Sequence, residues 1–180
     1  MKICIDAGHG LINGRPTGAV GNGIIEDGWT YVFSKRLAHY LRKNKHSVVL
    51  SRPGFNNVDL DIRAKTAVGA QCELFLSIHL NAANSGDANG VEAFIVDNDQ
   101  RSKTIAEKLV GIVANAGLKN RGVKPDEQSH VGKLAVLRNT YKKMPAVLLE
   151  VGFLTNEFDA SKLTDPRWVE DLACTIAKSI

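Results

Sequence analysis

The chain reads as a three-layer α/β domain, a mostly parallel sheet of about six strands with helices on both faces. Three observations predict this class. Short apolar, β-rich runs alternate with segments of helical period along the whole chain. The 180 residues, 44% of them hydrophobic, suit one domain with a substantial core of its own. No stretch is repetitive or of low complexity, so residues 1–180 are expected to form a single folded domain.

Residues 2–7 read as the first strand. Residues 23–44 contain a helix with Trp29, Val32, Phe33, Leu37, Tyr40 and Leu41 on one face. A second strand is expected at 47–51. A short helix at 60–71 then places Leu60, Ala64, Ala67 and Val68 at helical spacing, and 73–78 is the third strand. After a loop rich in Asn, Gly and Ser (81–90), a strand at 91–96 precedes a helix marked by Ile105, Leu109, Ile112, Val113 and Ala116 and ended by Gly117. That loop has no room for a crossover helix, so the 91–96 strand runs antiparallel to its predecessor or leaves the parallel set. Strands at 134–137 and 146–151 close the sheet. Asp165 and Pro166 look like the N-cap and first position of a terminal helix that turns Trp168, Leu172, Ile176 and Ile180 inward.

Residues 1–5 run straight into the first strand without a basic region and long apolar stretch, so no export signal is expected. No run approaches the roughly 18–20 apolar residues that span a bilayer, so no membrane insertion is expected either. Cys4, Cys72 and Cys174 are odd in number, far apart and set in apolar contexts, which reads as reduced thiols in a core. The formal charge of +4 favours a polyanionic partner such as nucleic acid or an anionic cell wall only weakly, because Lys and Arg are scattered among 19 acidic residues and the densest cluster, at 35–45, reads as a solvated helix face.

In open α/β sheets ligands bind outside the carboxyl ends of strands, so polar residues just after strand runs are the candidates for chemistry. Three strand ends stand out: Asp6-Ala7-Gly8-His9-Gly10, Ser77-Ile78-His79-Leu80-Asn81, and Leu148-Leu149-Glu150-Val151-Gly152. If these strands are parallel neighbours, His9, His79 and Glu150 meet at one edge, and Glu26 at the start of the first long helix can join them. Two His and one carboxylate with an open fourth position suit a catalytic zinc, and a second carboxylate can take the proton of the attacking water. Gly8 and Gly10 let the backbone turn so that His9 enters the cleft. Each residue also has a structural explanation: a hydrogen-bonded loop His, a Glu serving the helix dipole, an ion-paired strand Glu. Glu150 fits its explanation least, because it interrupts an apolar run where a carboxylate is costly unless a site uses it. Surface placement accounts for His39 and His46. His130 falls in the loop expected at 124–133, where exposure accounts for it.

With these residues in place, the chain resembles over its full length the catalytic domain of the zinc-dependent N-acetylmuramoyl-L-alanine amidases of bacterial autolysins and phage endolysins. The likeness rests on Asp6-Ala7-Gly8-His9-Gly10 followed by Gly18-Ala19, on Asn22-Gly23 with Glu26, on Ser77-Ile78-His79-Leu80-Asn81-Ala82, and on the run from Pro145 through Glu150 to Asn156. The resemblance implies a twisted six-stranded sheet, zinc bound by His9, Glu26 and His79, and Glu150 as the catalytic carboxylate. Asn81 would orient a ligand from behind, although a turn-forming Asn explains it equally. Leu50-Ser51-Arg52 and the helix bearing Arg63 read as structural parts of the same family. Asp27 stands where the family often has a basic residue, and the 124–133 segment is longer than usual; both bear on the metal's surroundings and on how a stem peptide is held.

The implied reaction is hydrolysis of the bond between N-acetylmuramic acid and the L-alanine of the peptidoglycan stem. Such a protein would be made in the cytoplasm and act on the cell wall after release or non-classical export. A zinc peptidase cutting within the stem peptide is the rival enzyme, since only the cleft decides the bond. A non-catalytic wall-binding domain is the rival outside catalysis. Nucleotide binding is excluded, because Gly8-His9-Gly10 is only a fragment of a phosphate loop.

Overall fold

The computed structural model describes all 180 residues. Its centre is a six-stranded sheet in the order β4-β1-β5-β8-β6-β7. The strands are β1 (Lys2–Ala7), β4 (Ser47–Leu50), β5 (Leu74–Asn81), β6 (Val91–Ile95), β7 (Asn120–Pro125) and β8 (Ala146–Phe153); β2 (Val20–Gly21) and β3 (Ile24–Ile25) form a separate hairpin. Pairing is parallel throughout the sheet except between β6 and β8, which run antiparallel. The 91–96 strand therefore does leave the parallel set, as its short preceding loop requires.

Helices cover both faces. They are α1 (Glu26–Lys43), α2 (Leu60–Gly69), α3 (Gln100–Asn115), α4 (Ala135–Arg138), α5 (Glu157–Leu163) and α6 (Pro166–Ser179), with a single 3-10 turn at Asp126–Gln128. Strand alternation divides the interior into two cores. Ile3, Ile5, Leu74, Leu76, Ile78, Val147, Leu149 and Val151 face the larger one, beneath α1, α3 and α6. Cys4, Phe75, Phe94, Ala146 and Leu148 face the smaller one, with Ala67 of α2 and Val136 and Leu137 of α4. In β5 and β8 the next positions on this second face are Ser77, His79 and Glu150, beyond the edge of that smaller core. Alternation thus carries His79 and Glu150 onto the less covered face at the carboxyl edge of the sheet.

Two expectations change. Residues 134–137 are not a strand: Arg138 N–H donates to Leu134 O at 2.9 Å and Asn139 N–H to Ala135 O at 2.9 Å, the one-turn helix α4. Asp126 fixes this turn by accepting from Leu134 N–H and from the Arg138 guanidinium. The sixth strand is β7, whose Asn, Arg, Gly, Lys and Pro give no apolar pattern because it is a half-buried edge strand. It also takes Lys124 and Pro125 out of the segment expected to be a loop. Within the helices, Val32 and Leu60 point outward instead of joining their apolar faces. The N-cap at Asp165 is as expected, its side chain accepting from Arg167 N–H at 2.9 Å. Cys4, Cys72 and Cys174 are free, the first two buried, and burial raises the Cys4 and Cys72 thiol pKa values. No helix is long and apolar enough to cross a membrane.

Candidate metal centre

His9 follows β1 in a left-handed conformation, φ 61°, and Gly10 continues the turn at φ 141°. A side chain such as His rarely adopts that φ unless its surroundings hold it there. Two buried arginines do so. Arg63 donates to the carbonyls of Ala7 and His9, and Arg52 to those of Ala7 and Gly8 at 2.9 and 3.2 Å. Arg63 is also paired at 3.0 Å with Asp6, which accepts from the hydroxyls of Ser51 and Ser77. Arg52 and Arg63 are thus structural, and what they build is the loop that presents His9.

Glu26 arrives by another route. The β2–β3 hairpin turns through Asn22 (φ 47°) and Gly23 (φ 74°), the two left-handed positions of a tight hairpin, and opens directly into α1 with Glu26 as first residue. Its Oε2 accepts from Ala19 N–H at 2.9 Å and its Oε1 from Leu80 N–H at 3.1 Å, so the carboxylate is fixed from both sides. His79 comes from β5 itself.

The three converge on one oxygen. Glu26 Oε1 lies 3.2 Å from His9 Nε2 and 3.2 Å from His79 Nδ1, and the three candidate ligand atoms lie within 4.8 Å of one another. Tetrahedral zinc with ligand distances near 2.0–2.2 Å places its ligand atoms roughly 3.3 Å apart, so this donor set fits such an ion. The Glu26 side chain is only 4% exposed while His9 is 34% and His79 17%, which leaves the histidine side of the cluster open to an incoming molecule. Burial works against charge on Glu26, but hydrogen bonds from His79 and His9 outweigh it and hold the carboxyl far below the usual range.

Glycines give the cluster its closeness. A Cβ on Gly8 would sit 2.5–2.6 Å from the His79 ring, and one on Gly18 within 2.8 Å of His9 and Glu26. Gly8 is therefore required for space against His79, and the turn into the cleft is made by His9 and Gly10.

Glu150 occupies β8 directly beside His79 in the β5–β8 register. Its Oε2 is enclosed without a hydrogen-bond partner. Burial, reinforced by the negative charges of Glu26 and Glu92, drives its pKa well above the ordinary carboxylate value. Asn81 bonds to none of the three cluster residues; its amide donates to Glu92 at 2.8 Å. Glu92 is the residue sequence reasoning passes over. It lies opposite Glu150 across β6–β8, is 4% exposed, and binds Arg121 and Lys124. Lys124 and Arg121 overcome the opposing effect of burial and keep its carboxyl below the usual range. It was detectable by the same sign as Glu150, a lone carboxylate inside an apolar strand. His39, His46 and His130 lie outside the cluster.

The whole chain matches known proteins. Residues 3–180 fit the sequence profile of the family described as N-acetylmuramoyl-L-alanine amidase. The chain belongs to that amidase family. Among relatives of this amidase domain, N-acetylmuramoyl-L-alanine amidase LytC of Bacillus subtilis is 39% identical over 164 residues, 89% of the chain but 31% of LytC. The endolysin of Bacillus phage SPP1 is 30% identical over 95% of the chain and 61% of its own length. The catalytic domain of CwlV, an amidase from Bacillus (Paenibacillus) polymyxa var. colistinus, superposes with a TM-score of 0.84 at 33% identity, covering 98% of this chain and 93% of that one. The chain thus spans about a third of LytC.

Proposed function

We propose that this chain is a peptidoglycan hydrolase that cleaves the amide bond between N-acetylmuramic acid and L-alanine, with zinc held by His9, Glu26 and His79 and with Glu150 as the proton acceptor. The observation that carries the reading is the 3.2 Å approach of both imidazoles to Glu26 Oε1, with the partnerless Glu150 beside them in an amidase-family chain. When bound, zinc would lower the pKa of water toward about 7 and draw negative charge from the carbonyl under attack.

The protein's residues do the rest. Ala19 and Leu80 N–H groups hold Glu26 so that Oε1 faces both rings. Glu150, beside His79 in the sheet register and with no partner on its enclosed Oε2, accepts the proton of the attacking water. It then delivers that proton to the departing alanine nitrogen, so the amine leaves neutral. The sparing cover on this face leaves His9 and His79 reachable by a polymeric substrate.

Digestion of purified peptidoglycan followed by mass spectrometry tests the bond cleaved. Stem peptides with free N-terminal alanine and intact glycan chains are expected. New reducing sugar ends, or cleavage confined to the stem peptide, would exclude the amidase reading. Chelation should abolish activity and zinc restore it, because a site of three protein ligands and one open position releases its metal.

A further inference from the structure

The sheet register sets two carboxylates against each other, Glu92 on β6 and Glu150 on β8. Side chains opposed across an antiparallel pair share a face with Cβ atoms about 4.5–5.5 Å apart, and like charges there destabilise the pairing. The surrounding groups divide unequally between the two. Glu92 Oε2 takes both neighbouring cations, Arg121 Nε at 2.7 Å and Lys124 Nζ at 2.6 Å, and its Oε1 accepts from Asn81 at 2.8 Å. Glu150 has neither an ion pair nor a hydrogen bond to its enclosed oxygen.

Both cations sit on the edge strand β7 with side chains 28% and 29% exposed. Arg121 is further tied by a 3.3 Å bond to Asn89 O and by its place 4.8 Å over the Phe153 ring. Lys124 forms its ion pair to Glu92 on a flexible four-carbon stem, which can turn to a new carboxylate if that partner is lost.

We propose that Glu92 is a positioning residue for the hydrolysis: by capturing Arg121 and Lys124 it keeps Glu150 free of cations, so that the Glu150 carboxylate faces the His9–Glu26–His79 cluster instead of β7. The inference rests on Glu150 being the proton acceptor. A carboxylate clamped by two cations is drawn away from the reacting water, whereas one without such partners keeps its position. Asn81 acts in the same device by holding the second oxygen of Glu92.

The test uses the zinc-loaded full chain and a soluble muropeptide carrying the N-acetylmuramoyl–L-alanine bond. Glu92→Gln should lower kcat by about 10-fold or more, leave KM within about 2-fold, and keep zinc content unchanged. The variant carrying Glu92→Gln, Arg121→Gln and Lys124→Gln together should recover most of the lost kcat, since nothing then remains to capture Glu150. A merely structural role would make the triple variant no better than the single one. Unchanged kcat in Glu92→Gln, a rise in KM alone, or a folded triple variant as slow as the single one would overturn the proposal. If the single variant does not fold, the triple variant decides by itself: near-normal kcat supports the proposal and loss of kcat refutes it. Glu150→Gln run alongside separates the two levels. Full turnover there removes the proton-acceptor reading and this inference with it, while an inactive Glu150→Gln beside a fully active Glu92→Gln removes only the role of Glu92.

Discussion

Glu150 and the residues that gather on Glu26 Oε1 differ in what substitution takes away. Glu150→Gln keeps the side-chain volume and removes the basic carboxylate, so zinc content and folding should persist while turnover falls by about 100-fold or more. In His9→Ala, metal content and rate should fall together, because one of the three proposed ligands is gone. Parallel metal analysis and kinetics on the two variants make the comparison; zinc loss in Glu150→Gln would make Glu150 a ligand, and near-normal turnover would assign the proton to another group. Gly8→Ala belongs with His9→Ala although glycine has no chemistry of its own. Its Cβ would meet the His79 ring at 2.5–2.6 Å, so the imidazole must shift, and zinc affinity should drop by about 10- to 100-fold in a protein that still folds.

At the scale of elements, Arg63 ties α2 to the loop that carries His9. Arg63 is 1% exposed and joins α2 to Asp6 of β1 and to the carbonyls of Ala7 and His9. Removing it leaves Asp6 buried with two serine hydroxyls and no ion-pair partner. Arg63→Ala should cost about 3–5 kcal/mol in urea unfolding and weaken zinc binding as the His9 loop loosens. Arg63→Lys keeps the charge and loses the planar fork that serves several acceptors at once, so it should fall between wild type and Ala in both measurements. If Arg63→Ala loses stability but binds zinc normally, the left-handed turn at His9 is held by Arg52 and Gly10 alone.

At the scale of the whole molecule, the proposed roles of the cluster bear on stability. Glu150 has a folded-state pKa raised above its unfolded value. Its contribution is therefore fully present below the ordinary value near 4.5 and is lost as pH rises toward the folded pKa. Metal-free Glu150→Gln should accordingly melt at a higher temperature than metal-free wild type at neutral pH, and the difference should vanish as pH falls below about 4.5. Equal melting temperatures at pH 7 would mean that Glu150 is not strained in the folded protein. The amino-acid order alone was enough for much of this architecture. Period-2 alternation in β5 and β8 is a local property: it puts His79 on the face of Phe75 and Ser77 and Glu150 on that of Ala146 and Leu148, and the β5–β8 register then sets the two side by side. The motifs around His9, Glu26 and His79 were equally legible, since glycines and polar residues stand out against apolar strands. The hairpin that delivers Glu26, the helical state of 135–138 and the strand state of 120–125 were not, because short segments take their conformation from neighbours distant in sequence. Asp126 decides the first turn of α4 and β6 recruits β7, and neither contact has a local signature. The antiparallel insertion of β6 beside β8 matters most for function. Only that pairing sets Glu92 against Glu150 and gives both cations to one of them, because the partner of a carboxylate is chosen by distance in space rather than by position along the chain.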